Sequence, residues 1–474
     1  MLDNKGRSAF YFRMKASSIP RRAVLSLPAL LLGACATGVD APGMAFAFSG
    51  GIGRRAAGPM MWAYADPFGN FPRADRQNWW RTSHSVDSYS RLDEILPARI
   101  ARRGDTAAPW RRAAREPDIA YTGAPALGAG RYRLADYMDR NPVTGLLVAQ
   151  DGTIHLERYQ YGRSDTQRMT SFSMAKTVIA MLVGIAVAEG RIGSIDNLAE
   201  QYAPTLRGLE YGATPLRHLL TMSSGVQFRE EYDGNDDSAR LSRATIGQQT
   251  LGGAAALRLF NTRIAAPGAR WYYASSETYA LAMVLRAAVG MPVADYFADR
   301  IWRPIGAEAD ASWLTDVSGL EVGYMGLQAT LRDYAKLGLL MARGGRAGQR
   351  AVIPADWVAE MTRMQVSPAR VGRFFGYGYQ SWVFPQDDGS FAFLGVRGQA
   401  LFVHPGSRLV MVHTAVRPDP RDPGAPPCAP LPADCPDART APGRARPGRR
   451  SCRHPAGRPS SGSHSRRSGR RALG

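Results

Sequence analysis

Residues 171–190 read Ser-Phe-Ser-Met-Ala-Lys-Thr-Val-Ile-Ala-Met-Leu-Val-Gly-Ile-Ala-Val-Ala-Glu-Gly. Met174, Val178, Met181, Leu182 and Ile185 recur at helical spacing and Gly190 stands where a helix stops, so the stretch predicts a helix over Ser173–Glu189. Its mouth carries Ser173 and, one turn later, Lys176; residues three apart are neighbours on a helix surface. A serine hydroxyl is a weak nucleophile until a base takes its proton. A lysine serves as that base when burial and nearby positive charge lower its pKa, and the helix N-terminus favours a developing oxyanion. Ser-x-x-Lys also arises by chance, so its weight depends on what surrounds it.

Working outward, Val143–Gln150 and Thr153–Tyr159 are strand-like runs joined by Asp151-Gly152, a dipeptide suited to a type I′ hairpin turn. A second hairpin pairs Gln399–Val403 with Leu409–Val416 around His404-Pro405-Gly406-Ser407. Hairpins at both ends of a helical middle predict one antiparallel sheet fed from both ends of the domain, with helices covering it. Further helices are expected near Pro215–Thr221, Glu277–Val289, Val293–Trp302, Leu331–Ala342 and Pro354–Met364.

Two more signals add chemistry. Pro267-Gly268-Ala269-Arg270-Trp271-Tyr272-Tyr273-Ala274-Ser275 places Tyr273 a hundred residues beyond the serine. A tyrosine beside a lysine ammonium is expected to have a lowered pKa and to pass a proton to the leaving group; Tyr272 and Tyr279 are its rivals, and aromatics filling a core are the bland alternative. Gly395-Val396-Arg397-Gly398-Gln399 leads into the last hairpin, where a backbone N–H can join that of Ser173 as an oxyanion hole.

The order Ser-x-x-Lys, then a Tyr-x-Asn-like triplet, then a glycine motif on the final sheet resembles the serine β-lactamase and penicillin-binding-protein superfamily. Within it the chain is most similar to the class C β-lactamase-like hydrolases, a branch that includes carboxylesterases and 6-aminohexanoate-dimer hydrolase. Leu219-Leu220-Thr221-Met222-Ser223-Ser224-Gly225 and Gly376-Tyr377-Gly378-Tyr379-Gln380-Ser381-Trp382 are similar to recurrent segments of that group. The resemblance covers roughly residues 131–416. It implies an α/β (α+β) fold of the β-lactamase/transpeptidase type, with an antiparallel sheet flanked by helices and an all-helical subdomain. It also implies Ser173 as nucleophile, Lys176 and Tyr273 as proton-transfer partners and the Gln399 N–H as second oxyanion donor, with Gly398, Arg397 and Ser275 lining the substrate. Ser275 stands where the Asn of Tyr-x-Asn sits, and Val396-Arg397-Gly398 replaces Lys-Thr-Gly. Those departures favour hydrolysis of small amides or esters over β-lactamase or DD-peptidase action. No cofactor or metal is implied. A non-catalytic, lipid-anchored sensor keeping the pocket is the alternative from another class, and an intact nucleophile set argues against it.

The chain has 474 residues and a formal net charge of +20. The first 34 residues carry +5 and residues 417–474 carry +9, which leaves +6 on the body, too little patterned charge to argue for nucleic acid. Only Lys5, Lys15, Lys176 and Lys336 are lysines, so a body lysine among so many arginines is informative, since an arginine cannot act as a base. The cysteines, Cys35, Cys428, Cys435 and Cys452, all lie outside the body and cannot staple its core. His84, His155, His218, His404 and His413 lack metal-site spacing and read as structural, and no Gly-x-Ser-x-Gly elbow occurs in the body.

Residues 20–35 have a basic start, a short apolar run and small residues before Cys35, an export signal too short to span a bilayer. Leu32-Gly33-Ala34-Cys35 resembles the bacterial lipoprotein signal. The expected organisation is therefore a signal peptide over 1–34, lipidation at Cys35 and a tether with lead-in over 35–130. The hydrolase domain follows over 131–416, with an Arg/Pro/Gly-rich disordered tail over 417–474. The expected location is the periplasm or cell surface, held to the membrane by the lipid.

Overall fold

In a computed structural model of the chain, residues 12–15, 71–122 and 131–420 are described. Contacts divide the chain into residues 1–430 and 431–474; the second unit, Cys35 and nearly all of the expected signal, tether and tail lie outside the described residues.

The Asp151-Gly152 turn forms, both residues taking positive φ (44° and 85°), and pairs Val143–Gln150 with Thr153–Tyr159. The closing hairpin pairs Gln399–His404 with Leu409–Ala415. Leu409–Ala415 then lies antiparallel to Val143–Gln150, joining the two chain ends in one sheet. That sheet has eight strands in the order Gly376–Tyr377, Trp382–Val383, Phe391–Gly395, Gln399–His404, Leu409–Ala415, Val143–Gln150, Thr153–Tyr159 and Arg111–Arg112. Every pairing in it is antiparallel except the last. The lead-in thus contributes an edge strand. It also contributes Ala98–Ala101 to a second, four-stranded sheet with Ala311–Leu314, Leu327–Ala329 and Met169–Thr170.

The large sheet is apolar on both faces. Successive side chains of a strand point to opposite sides, so Leu147, Ala149, Val410 and Val412 enter one core while Leu146, Val148, Leu409 and Met411 enter another. The helix Leu331–Ala342 covers the first face, across Val143–Gln150, Gln399–His404 and Leu409–Ala415. It can lie that close because residue 338 is glycine: a Cβ there would meet Leu401 Cδ1 at 2.7 Å. The helix Met174–Ala188 packs on Ser275–Val289 and on the strand Phe391–Gly395. Nearly all of its residues are buried, as expected for a helix apolar all round. Trp357, from the helix Ala355–Thr362, lies over Gly184 and donates its indole N–H to the Ala180 carbonyl at 3.0 Å.

Candidate active site

The four-stranded sheet delivers the nucleophile. Met169–Thr170 pairs with Gln328 and Ala329, and the next residue, Ser171, donates its N–H to the Leu327 carbonyl at 2.9 Å. Phe172 then takes φ 41°, a left-handed conformation unusual for a bulky residue, and its ring packs edge-on against Tyr89. This tight turn leaves Ser173 as the N-cap of the helix Met174–Ala188, half-buried, with its side chain making no cap bond.

One turn on, the Lys176 ammonium donates to Ser173 Oγ at 2.9 Å and to the Tyr324 carbonyl at 3.0 Å. Lys176 is 1% exposed. Burial lowers its pKa to about 8, against the opposing pull of Glu230. Tyr273 also meets Ser173 by a side-chain hydrogen bond, and Lys176 Nζ lies 4.9 Å from its ring centroid. Ser173, Lys176 and Tyr273 are therefore brought together. The tyrosine departs from expectation in one respect: burial, reinforced by Glu230, raises its pKa, outweighing the Ser173 bond and the Arg373 charge that lower it. The rivals are occupied elsewhere. Tyr272 donates to Glu231 at 3.0 Å, and Tyr279 donates to Asp316 while accepting the Gly253 N–H.

The two family-like segments hold this arrangement. Met222, at φ 54°, accepts the Tyr272 N–H on its carbonyl at 2.9 Å and the Ala274 N–H on its sulfur at 3.4 Å, fixing the residues on both sides of Tyr273. Gln380 is buried and donates to the Leu219 carbonyl at 2.8 Å. It accepts from the Thr278 hydroxyl at 2.7 Å on its side chain and from Thr177 at 2.6 Å on its carbonyl. One residue, through its side chain and its backbone carbonyl, thus ties the nucleophile helix, the helix Ser275–Val289 and the short helix Leu216–Leu220 together.

The remaining expected contacts are placed differently. Ser275 gives its N–H (2.6 Å) and its hydroxyl (2.8 Å) to Glu230, which also accepts from Tyr232 at 2.8 Å; its hydroxyl is spent inside the protein. Arg397, at φ 61°, turns its guanidinium to the carbonyls of Arg417 (3.1 Å) and Pro418. The Gly398 carbonyl accepts from the His413 ring at 2.6 Å; burial holds that histidine's pKa down at about 3. Gln399 is buried, and its amide bonds the Ala415 carbonyl (2.7 Å) and N–H (3.2 Å). It is Gly395 that abuts the turn leading into the nucleophile: a Cβ there would stand 2.5 Å from the Ser171 carbonyl and 3.2 Å from Phe172 Cβ. Glycine allows that approach, and Val396 supplies the next backbone N–H.

Sequence reasoning missed Glu230 and Glu277. Glu230 carries no motif, and acts on Lys176, Tyr273 and Tyr232 only through the fold. Glu277 is buried, accepts the Ser224 hydroxyl at 2.6 Å, and is pushed up to about 8 by burial. Arg417, where the tail begins in sequence, is buried and donates to Asn141 at 2.9 Å. Among the described residues no cluster of His, Cys, Asp and Glu could hold a metal.

Comparison with known proteins gives three findings. The Beta-lactamase family profile matches residues 133–426. The chain is 26% identical over 357 residues to a 6-aminohexanoate-dimer hydrolase of Paenarthrobacter ureafaciens, covering 72% of this chain and 88% of the relative. A solved structure from Bacillus anthracis, provisionally assigned as a 6-aminohexanoate-dimer hydrolase, superposes with a TM-score of 0.65 at 23% identity, over 73% of this chain and 92% of that one. It shares the fold.

Proposed function

For a chain that belongs to the Beta-lactamase family, as this hydrolase does, we propose an amidase or esterase acting on small substrates through an acyl-enzyme on Ser173. The observation that carries the proposal is the buried Lys176 ammonium 2.9 Å from Ser173 Oγ with its pKa lowered to about 8. In its neutral form Lys176 accepts the Ser173 proton while Oγ attacks the substrate carbonyl. The oxyanion develops between the N–H groups of Ser173 and Val396. The close approach of Gly395 to the Ser171–Phe172 turn favours Val396 over Gln399 for that second donor. Tyr273, kept protonated by burial, gives its proton to the departing amine or alcohol and regains one from Lys176. Water then repeats the sequence in reverse on the ester and frees the acid.

The relative from Paenarthrobacter ureafaciens suggests linear amides as the first substrates to try. The inward bonds of Ser275 and Arg397 leave neither free to grip β-lactam substituents, which speaks against antibiotic hydrolysis. The test is intact-mass analysis after a fluorophosphonate probe, with Ser173→Ala beside it. A single adduct that vanishes in the variant is expected, and a folded wild-type protein that takes no adduct refutes the proposal. Export and lipid attachment at Cys35 form a separate proposal, tested by whether a radiolabelled fatty acid enters the wild-type chain and not Cys35→Ala.

A further inference from the structure

Resting on that hydrolase reading, we propose that Arg373 determines specificity by receiving a carboxylate at the far end of the leaving amine. The favoured substrates are then amides of ω-amino acids or of other amines ending in a carboxylate.

Three side chains form a row beside the nucleophile. The Tyr273 ring stacks on Trp382 at 5.4 Å and 29°, and the Arg373 guanidinium lies over the Trp382 ring at 5.5 Å. Tyr273 is the group that faces the departing atom, so a cation beyond it in this row lies on the leaving-group side. The loop carrying Arg373 is pinned there, since Arg370 donates to the carbonyls of Gly268 and Ala269 at 3.1 and 3.3 Å, in the turn that leads to Tyr273.

Arg373 is exposed, and among the described residues no acidic side chain pairs with it. Glu230, the carboxylate acting on the same tyrosines, is already bonded to Ser275 and Tyr232. An arginine stacked on an indole is oriented by the ring while its N–H edge stays free, which suits bidentate capture of a carboxylate. Trp271, half-buried and packed against the buried Trp382 at 6.3 Å, offers a methylene chain an apolar neighbour. A packing role alone needs no charge at this position; a ligand carboxylate does.

The experiment compares N-acetyl-6-aminohexanoate with the same molecule ending in a neutral carboxamide. In the wild type the ratio of kcat/KM, carboxylate over carboxamide, is expected to be about tenfold or more, the gain from one charge-assisted pair. Arg373→Gln brings that ratio towards one, and Arg373→Lys restores part of it. An unchanged ratio in Arg373→Gln, or a wild type with no carboxylate preference, overturns the inference. The fluorophosphonate adduct on wild-type Ser173 keeps the two readings apart. With the adduct present and the preference absent, only the role of Arg373 fails; with no adduct on folded protein, the hydrolase reading fails beneath it.

Discussion

Replacing Glu230 by Gln should move the pH dependence of Ser173 reactivity towards acid. Lys176 acts as a base only when neutral, and burial brings its pKa from 10.5 to about 8. At pH 7 the neutral fraction is then about a tenth, against about three in ten thousand for an unperturbed lysine, a gain of about 300-fold in usable base. The rate of covalent labelling should therefore climb about tenfold between pH 7 and pH 10, with a midpoint near 8. Glu230 stabilises the ammonium and holds that midpoint up. Removing its charge, while the amide keeps a hydrogen bond with Ser275, should lower the midpoint and raise the neutral fraction at pH 7. The assay is pseudo-first-order labelling by a fluorophosphonate from pH 6 to 10, followed by intact mass. A wild-type midpoint above 10, or a shift towards base in Glu230→Gln, would refute the assignment of Lys176 as the base.

Three further outcomes are expected. Val396→Pro deletes one proposed oxyanion donor and should cut kcat by about 10²–10³ with little change in KM, measured on p-nitrophenyl esters. Tyr273→Phe should cost amides about 10²–10⁴, the usual contribution of a general acid, and p-nitrophenyl esters far less because p-nitrophenolate leaves unprotonated; equal losses on both substrates would remove the acid role. Gly184→Ala puts a methyl about where Trp357 Cδ1 and Nε1 now lie, both 2.1 Å from the built Cβ. It should lower stability by about 1–3 kcal/mol in urea denaturation, with a change in tryptophan emission.

Much of this arrangement was legible because it is local. Asp151-Gly152 and the period-2 runs around it specify their hairpin, and Leu331–Ala342 is helical over the residues its pattern predicts. Ser173 and Lys176 meet because the helix makes positions three apart neighbours. The lead-in was harder: Ala98–Ala101 and Arg111–Arg112 are too short to show an alternation, and become strands only because Ala311–Leu314 and Thr153–Tyr159 offer them an edge. The oxyanion loop was harder for a related reason. Gly395 and Gly398 look equivalent in sequence, yet one faces Ser171 and the other faces Ala415 and Arg417. A difference of three residues in a turn reverses what a backbone approaches. Glu230 lies 54 residues past Lys176, and no spacing rule links a loop carboxylate to a helix lysine.

The same burial acts with opposite sign on the two groups beside the nucleophile, and this divides their labour. Taking charge out of water is costly, so a buried lysine is driven towards its neutral amine and a buried phenol towards its neutral hydroxyl. The first outcome makes Lys176 a proton acceptor and the second makes Tyr273 a proton donor. Pairs of titratable groups pushed apart by their surroundings take the base and acid roles of a reaction. Glu230 works against the first shift and with the second, raising the proton affinity of both groups. It therefore holds back the neutral amine of Lys176 while keeping Tyr273 protonated, and a single carboxylate bonded to Ser275 and Tyr232 sets the balance between them.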